Sequence, residues 1–185
     1  MLWMLLVVGV AMLVGWVRGG KLSNLTEIRV RSWWMLLVGF GLQVVAGFLP
    51  IEQHELAVGL ILVSYLPLLL FVWLNREMNG LWLAGIGILM NFTVIVVNGG
   101  MPVLSAAAEL SGISGIPDSA KHLLLDDATR LPFLADIIPL PRSVVSLGDV
   151  FLAIGIGVFL EDQMRRPPRL FAHGVQGRPG SAANR

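Results

Sequence analysis

Five long apolar runs with almost no charge inside them constrain this chain more than any other feature. They span residues 2–17, 33–49, 56–74, 81–97 and 143–160, close to the 17–25 mostly apolar residues an α-helix needs to cross about 30 Å of hydrocarbon. A water-soluble domain instead spreads its apolar side chains as a stripe on each element. Here 56% of residues are hydrophobic and 14% charged, against nearly half and about a quarter in soluble proteins. The runs predict an all-α fold: a polytopic membrane protein, a bundle of five transmembrane helices with one long extracytoplasmic loop over 99–142. The lipid bilayer is then its first partner. The balance of 13 Lys and Arg against 12 Asp and Glu argues against a nucleic-acid partner.

Basic residues orient the chain, because cytoplasmic flanks carry the positive excess. Arg18, Lys21, Arg29 and Arg31 lie between the first two runs, Arg76 between the third and fourth, and Arg165, Arg166, Arg169, Arg178 and Arg185 after the fifth. These segments alternate so as to share one side, while Lys121, Arg130 and Arg142 fall on the other. The expected location is the cell membrane, N-terminus outside and C-terminus cytoplasmic. No basic residue precedes Arg18 and no small-x-small site follows the first run, so that run reads as a retained span rather than a signal peptide. Residues 167–185 are rich in Pro, Gly, Ala and Arg and read as a disordered cytoplasmic tail. With no cysteine in the chain, disulfide and thiolate chemistry are excluded.

In lipid, helices approach closely through small residues and buried polar groups. Residues four apart share a helix face, which puts Gly39, Gln43 and Gly47 on one stripe and Asp149, Ala153 and Gly157 on another. Ala84, Gly87, Asn91 and Asn98 form a third. Pro67 is expected to kink the third span and free the carbonyl of Val63. An odd number of spans and no internal repeat argue against the duplicated halves of secondary transporters.

Chemistry concentrates on the outer side. Measured from a helix end near Ser143, Asp149 lies about 9 Å down the axis, where a carboxylate usually faces a bundle interior or a cavity. Asn91, seven residues inward from Asn98, reaches a similar depth, so the two form either a structural hydrogen-bonded pair or part of a functional site. The connection over 99–142 is too long to be structureless. Short helices are expected within 101–112 and 119–128, the second capped by Asp118 or Ser119 after Pro117. The Pro-broken stretch 131–141, which contains Asp136, reads as extended along the membrane surface.

Asp126, Asp127, Arg130, Asp136 and Asp149 thus gather outside, with Asn91 and Asn98 behind them. Two carboxylates in a partly dry site share a proton, the arrangement an aspartic hydrolase uses to activate water and protonate a leaving group. Asp136 and Asp149 are the candidate catalytic dyad; Asn91, Asn98, Asp127 and Arg130 are candidate binding or orienting residues. Arg130 could equally neutralise Asp127 or Asp136 in an ion-pair network. His122 and Asp126 have metal-ligand spacing for a helix, but with one histidine nearby His122 reads as a surface residue, and neither metal nor cofactor is expected. No phosphate-binding loop or Gly-x-Ser-x-Gly elbow occurs.

The chain resembles bacterial five-helix membrane proteins catalogued only as a domain of unknown function. The resemblance rests on Asn98-Gly99-Gly100-Met101-Pro102, on the stretch from Asp127 through Arg130, Asp136 and Pro139, and on Ser146-Leu147-Gly148-Asp149-Val150 with Ala153 and Gly155. It implies a name and no mechanism. A more distant likeness is to signal peptidase II, the aspartic lipoprotein signal peptidase. Leu134-Ala135-Asp136-Ile137-Ile138 looks like its first aspartate segment, and Asp149 with the small-residue run to Gly155 like its second. Leu147 and Gly148 stand where that family has Asn and Ala. Two readings stay open: a protein whose outer polar cluster organises the loop or binds a lipid or membrane-protein partner, and an aspartic membrane hydrolase. A transporter or channel ranks last, because the inner halves of the spans are nearly devoid of polar residues.

Overall fold

The computed structural model describes residues 2–113 and 121–166. All five runs form helices: α1 (Leu2–Val17), α2 (Trp34–Gly47), α3 (His54–Leu74) and α4 (Leu81–Asn98), with α6 (Leu147–Arg165) following the segment 99–146. That segment carries β1 (Met101–Val103), α5 (Ser105–Leu110), β2 (His122–Leu124), β3 (Ile138–Leu140) and β4 (Ser143–Val145). The molecule is mostly helical, but the all-α expectation is corrected by these short strands. Prolines at 102, 132, 139 and 141 remove the donors a helix needs, and the backbone pairs across segments instead. β1 runs parallel to β2, and β3 pairs with β4 antiparallel through a tight turn in which Arg142 takes φ 60°.

Among the described residues, two helices are long and apolar enough to cross a membrane by length and composition: α3 together with the 3-10 turn before it, Ile51–Leu74, and α4. The five-span expectation is met less fully elsewhere. At 1.5 Å per residue, the 16 residues of α1 and the 14 of α2 reach only about 24 and 21 Å. Helix α6 has 19 residues but carries Asp149, Glu161, Asp162 and Arg165 near its ends. It also starts four residues later than expected, because Ser143–Val145 is committed to the hairpin and Ser146 is the N-cap.

The helices pack in the order α2, α3, α4, α6, α1. The α4/α6 contact is close: a Cβ on Gly87 would collide with the Gly148 carbonyl and Leu152, and one on Gly155 with the backbone of Ala84. Gly39 likewise lies against Leu68 and the Ser64 carbonyl. Two expected stripes are therefore revised. Gly148, Leu152 and Gly155 face α4, whereas Ala153 and Gly157 lie on the α1 side. Gly47, at the end of the α2 stripe, meets nothing. Helix α3 continues through Pro67. The main apolar core joins α2, α3 and α4 to Met101 and Leu134.

Asparagines bind distant segments at the ends of this layer. The Asn75 amide exchanges hydrogen bonds with the backbone of Arg31, accepting from its N–H at 2.8 Å and donating to its carbonyl at 3.0 Å. Asn24 donates to the carbonyls of Met164 and Arg166 at 2.7 and 2.8 Å. Asn79 donates to Asp162 at 2.7 Å. These bonds gather the α1–α2 connection, the α3–α4 turn and the end of α6 at one end of the molecule. The segment 99–146 occupies the other.

Candidate functional site

The site begins with a capping box. Ser146 N–H donates to Asp149 Oδ2 at 3.1 Å, and Asp149 N–H donates to Ser146 Oγ at 3.0 Å, a reciprocal pairing that satisfies two donors orphaned at a helix start. Asn91 closes the cycle from α4. Its Nδ2 donates to Asp149 Oδ1 at 2.8 Å, and its Oδ1 accepts from the Ser146 hydroxyl at 2.8 Å. Asn91 and Asp149 do lie at one depth, but Asp149 sits in the first turn of α6 and not about 9 Å along it. Helix α6 simply begins deeper than α4 ends, beneath the β3–β4 hairpin. The Ser-x-x-Asp spacing of Ser146 and Asp149 is a readable sequence signature of such a cap, although Ser146 was quoted only within the family motif and not as a site residue.

Asp136 arrives from the segment between α4 and α6. A 3-10 turn over Pro132–Leu134 leads into it; its N–H donates to the Pro102 carbonyl at 2.9 Å and its carbonyl accepts from Leu104 N–H at 3.0 Å. The segment thus docks on β1 instead of lying extended on a membrane surface, and Asp136 is only 7% exposed. Its Oδ1 is buried with no hydrogen-bond partner. Burial, and then the charge of Asp149, push its carboxyl up to about 8, while Lys121 pulls it down.

Asp136 and Asp149 line one cavity of about 150 Å³ together with Asn91, Gln43, Tyr65 and His122. Ile61, Ile95 and Met101 supply apolar wall, and Lys121 stands at its exposed side. Gln43, Tyr65 and Lys121 were not singled out as site residues, and His122 is half-buried in the lining instead of on the surface. His122 belongs to β2 and Asp126 to a turn closed by Thr129, so helical i, i+4 ligation by the pair does not apply. Pro117, Asp118 and Ser119 lie outside the described residues, as do residues 167–185. Of the 101–112 expectation, only Ser105–Leu110 is helical. Among the described residues, no group of three or more His, Cys, Asp or Glu could hold a metal ion.

The remaining candidates do not join the pocket lining. Asn98 clamps the loop: its Oδ1 accepts from Arg130 N–H at 2.8 Å, and its Nδ2 donates to the carbonyls of Arg130 and Val94 at 2.9 and 2.8 Å. Gly99, with φ 71°, completes the turn out of α4. Arg130 therefore contributes its backbone, and among the described residues no ion pair links it to Asp127 or Asp136. Asp127 is exposed. A larger groove of about 530 Å³ between α1, α6 and the hairpin is walled by aliphatic side chains such as Leu6, Val10, Val145 and Ile154. It lacks the convergent polar groups of the smaller cavity.

Among known proteins, the chain is similar to an uncharacterised protein of Thermotoga maritima, 28% identical over 162 residues that cover 83% of this chain and 89% of the relative. No solved structure matches. The model of DUF5317, a family of unknown function, matches residues 27–161, and with most of its length inside that match, capping box and pocket included, the chain belongs to this family.

Proposed function

We propose that this chain is a five-span protein of the bacterial cell membrane, N-terminus outside and C-terminus cytoplasmic, whose outer end holds a small polar binding pocket. The observation that carries the reading is Asp136, a buried carboxyl with an unpartnered Oδ1 lining a cavity opposite Asp149. A folded chain rarely leaves such a group orphaned without a use for it. The membrane setting is supported by the helix surfaces: Leu5, Leu6, Leu37, Phe40, Leu66 and Leu89 are all more than half exposed, more apolar surface than a soluble monomer presents. Trp16, Trp33, Trp34, Trp73 and Trp82 are also exposed. All five flank the end where the asparagine clamps and Arg18, Lys21, Arg31 and Arg76 gather, the pattern of an aromatic belt at a positive cytoplasmic interface.

The absence of native cysteine makes single introduced cysteines clean reporters. Asp127→Cys should react with a membrane-impermeant maleimide in intact cells, and Glu77→Cys only after permeabilisation; equal labelling would overturn the topology. Ile95→Cys, in the pocket wall, should react with small, uncharged methyl methanethiosulfonate. If it resists, the cavity admits no ligand and the reading fails.

A second reading, an aspartic hydrolase resembling signal peptidase II, is favoured by one observation. Asp136 keeps a proton near neutral pH across a shared pocket from the acceptor Asp149, so an acid and a base face one volume. Purified chain would then cleave a lipoprotein precursor, and Asp136→Asn would abolish turnover. No cleavage of a precursor panel, or unchanged turnover in the variant, rejects it.

A further inference from the structure

Resting on the pocket reading above, we infer that the cavity takes a small primary ammonium group, held between Asp136 and Asp149. The buried orphan is an acceptor when ionised, so its natural complement is a ligand N–H. The charges in and around the cavity point the same way. Among the described residues of the lining, ionising Asp136 beside Asp149 sets two carboxylates against the Lys121 ammonium, an excess negative charge that a cationic ligand neutralises and that repels anions. A neutral ligand brings no charge to compensate an ionised Asp136 in a dry site, and would leave that carboxyl protonated.

Size and lining narrow the class. About 150 Å³ is on the order of five water volumes at about 30 Å³ each, room for a molecule of a few heavy atoms. A hard divalent cation wants six to eight oxygens, whereas Asn91 Oδ1 and one acceptor site on each Asp149 oxygen are already engaged. An ammonium needs three acceptors, and Gln43 and Tyr65 stand in the lining beside the carboxylates. Ile61, Ile95 and Met101 offer a surface for one or two methylenes. Ethanolamine has this shape, either free or as the headgroup of phosphatidylethanolamine.

Binding must displace the Asp136 proton. Among the described residues, the titratable groups that line the cavity with Asp136 are Asp149 from α6, Tyr65 from α3, Lys121 just before β2 and His122 at its start. Its carboxyl ionises only toward about pH 8, so affinity should rise with pH up to that point, with close to one proton released per ligand at about pH 6 and about half a proton at about pH 8.

The test is titration calorimetry of the full chain, reconstituted in phosphatidylcholine vesicles, with ethanolamine and methylammonium chlorides in buffers of different ionisation enthalpy. Affinity should be roughly thirtyfold or more weaker at about pH 6 than at about pH 8, since each pH unit below the carboxyl's midpoint costs up to tenfold. Asp136→Asn should lose at least tenfold in affinity along with the pH dependence, while His122→Gln should retain the pH dependence. Adding phosphatidylethanolamine to the vesicles should weaken apparent ethanolamine affinity if the headgroup is the occupant, and leave it unchanged if the amine is free. No binding of either amine at about pH 8, or binding indifferent to Asp136→Asn, overturns the inference. If Ile95→Cys still reacts in that case, the pocket reading survives and only the ammonium is lost.

Discussion

Asp136 and Asp149 are both carboxylates, yet their surroundings assign them opposite tasks. Asp149 is engaged by the α6 cap and Asn91, whereas Asp136 keeps a buried unpartnered oxygen. Because the folded chain holds the Asp136 carboxyl at about 8 and an unfolded aspartate ionises near 4, the folded state binds the extra proton between these values. The stabilisation this confers is complete below about pH 4 and is lost as pH climbs through about 8. Asp136→Asn, neutral at every pH, should flatten the pH dependence of the melting temperature over that window and raise stability at about pH 8 by on the order of a few kcal/mol. A wild-type melting temperature that rises from pH 5 to pH 8 would contradict this. Ser146→Ala should cost about 1–2 kcal/mol through the lost cap. Asp149→Ala should cost more, since it strands both Ser146 N–H and the Asn91 amide; chemical denaturation in detergent ranks the two. The capping box was legible in Ser146 and Asp149. Asp136 was identified as a carboxylate in a Pro-rich stretch, but its burial depends on docking against β1, a contact no local pattern encodes.

At the scale of elements, α4 and α6 are held together by missing side chains. Gly155→Ala would drive a Cβ into the Ala84 backbone and should destabilise the chain by roughly 1–3 kcal/mol, as overpacking does. Gly41→Ala on α2, where a Cβ meets nothing within 4 Å, should be neutral or stabilising by up to about 1 kcal/mol. Equal effects from the two would refute the close α4/α6 crossing. Helix positions were readable because apolar runs of this length have few other solutions. The face of α6 was not: Asp149, Ala153 and Gly157 share a stripe, as do Gly148, Leu152 and Gly155, and sequence spacing alone treats both as plausible inward faces. The segment between α4 and α6 was misread for a different reason. Composition there allows turns, short helices or strands, and only pairing between β1 and β2 and between β3 and β4 selects among them.

Across the whole molecule, ion pairs and asparagine clamps fasten one end and the segment 99–146 covers the other. Glu161 draws in Arg18 at 3.2 Å and Arg165 at 3.1 Å, and Asp162 holds Arg166 at 2.8 Å. The proposed membrane setting makes a direct prediction: a wash in carbonate at about pH 11, which strips proteins attached through surface charge, should leave the chain in the membrane pellet. Its release into the supernatant would mean that the apolar helix faces lie on lipid or against a partner.

Sequence by itself determined that the chain is mostly helical, where its five long helices lie to within a few residues, and that its basic residues collect at alternate connections. Each of these follows from local composition and from the hydrogen-bonding demand of the backbone. The tertiary structure decided what those elements enclose. It sank the start of α6 below the end of α4, turned Asn91 toward Ser146 and Asp149, and folded Asp136 inward from a loop 45 residues beyond Asn91. A pocket exists only where groups distant along the chain converge, and that convergence depends on how helices and loop pack in three dimensions.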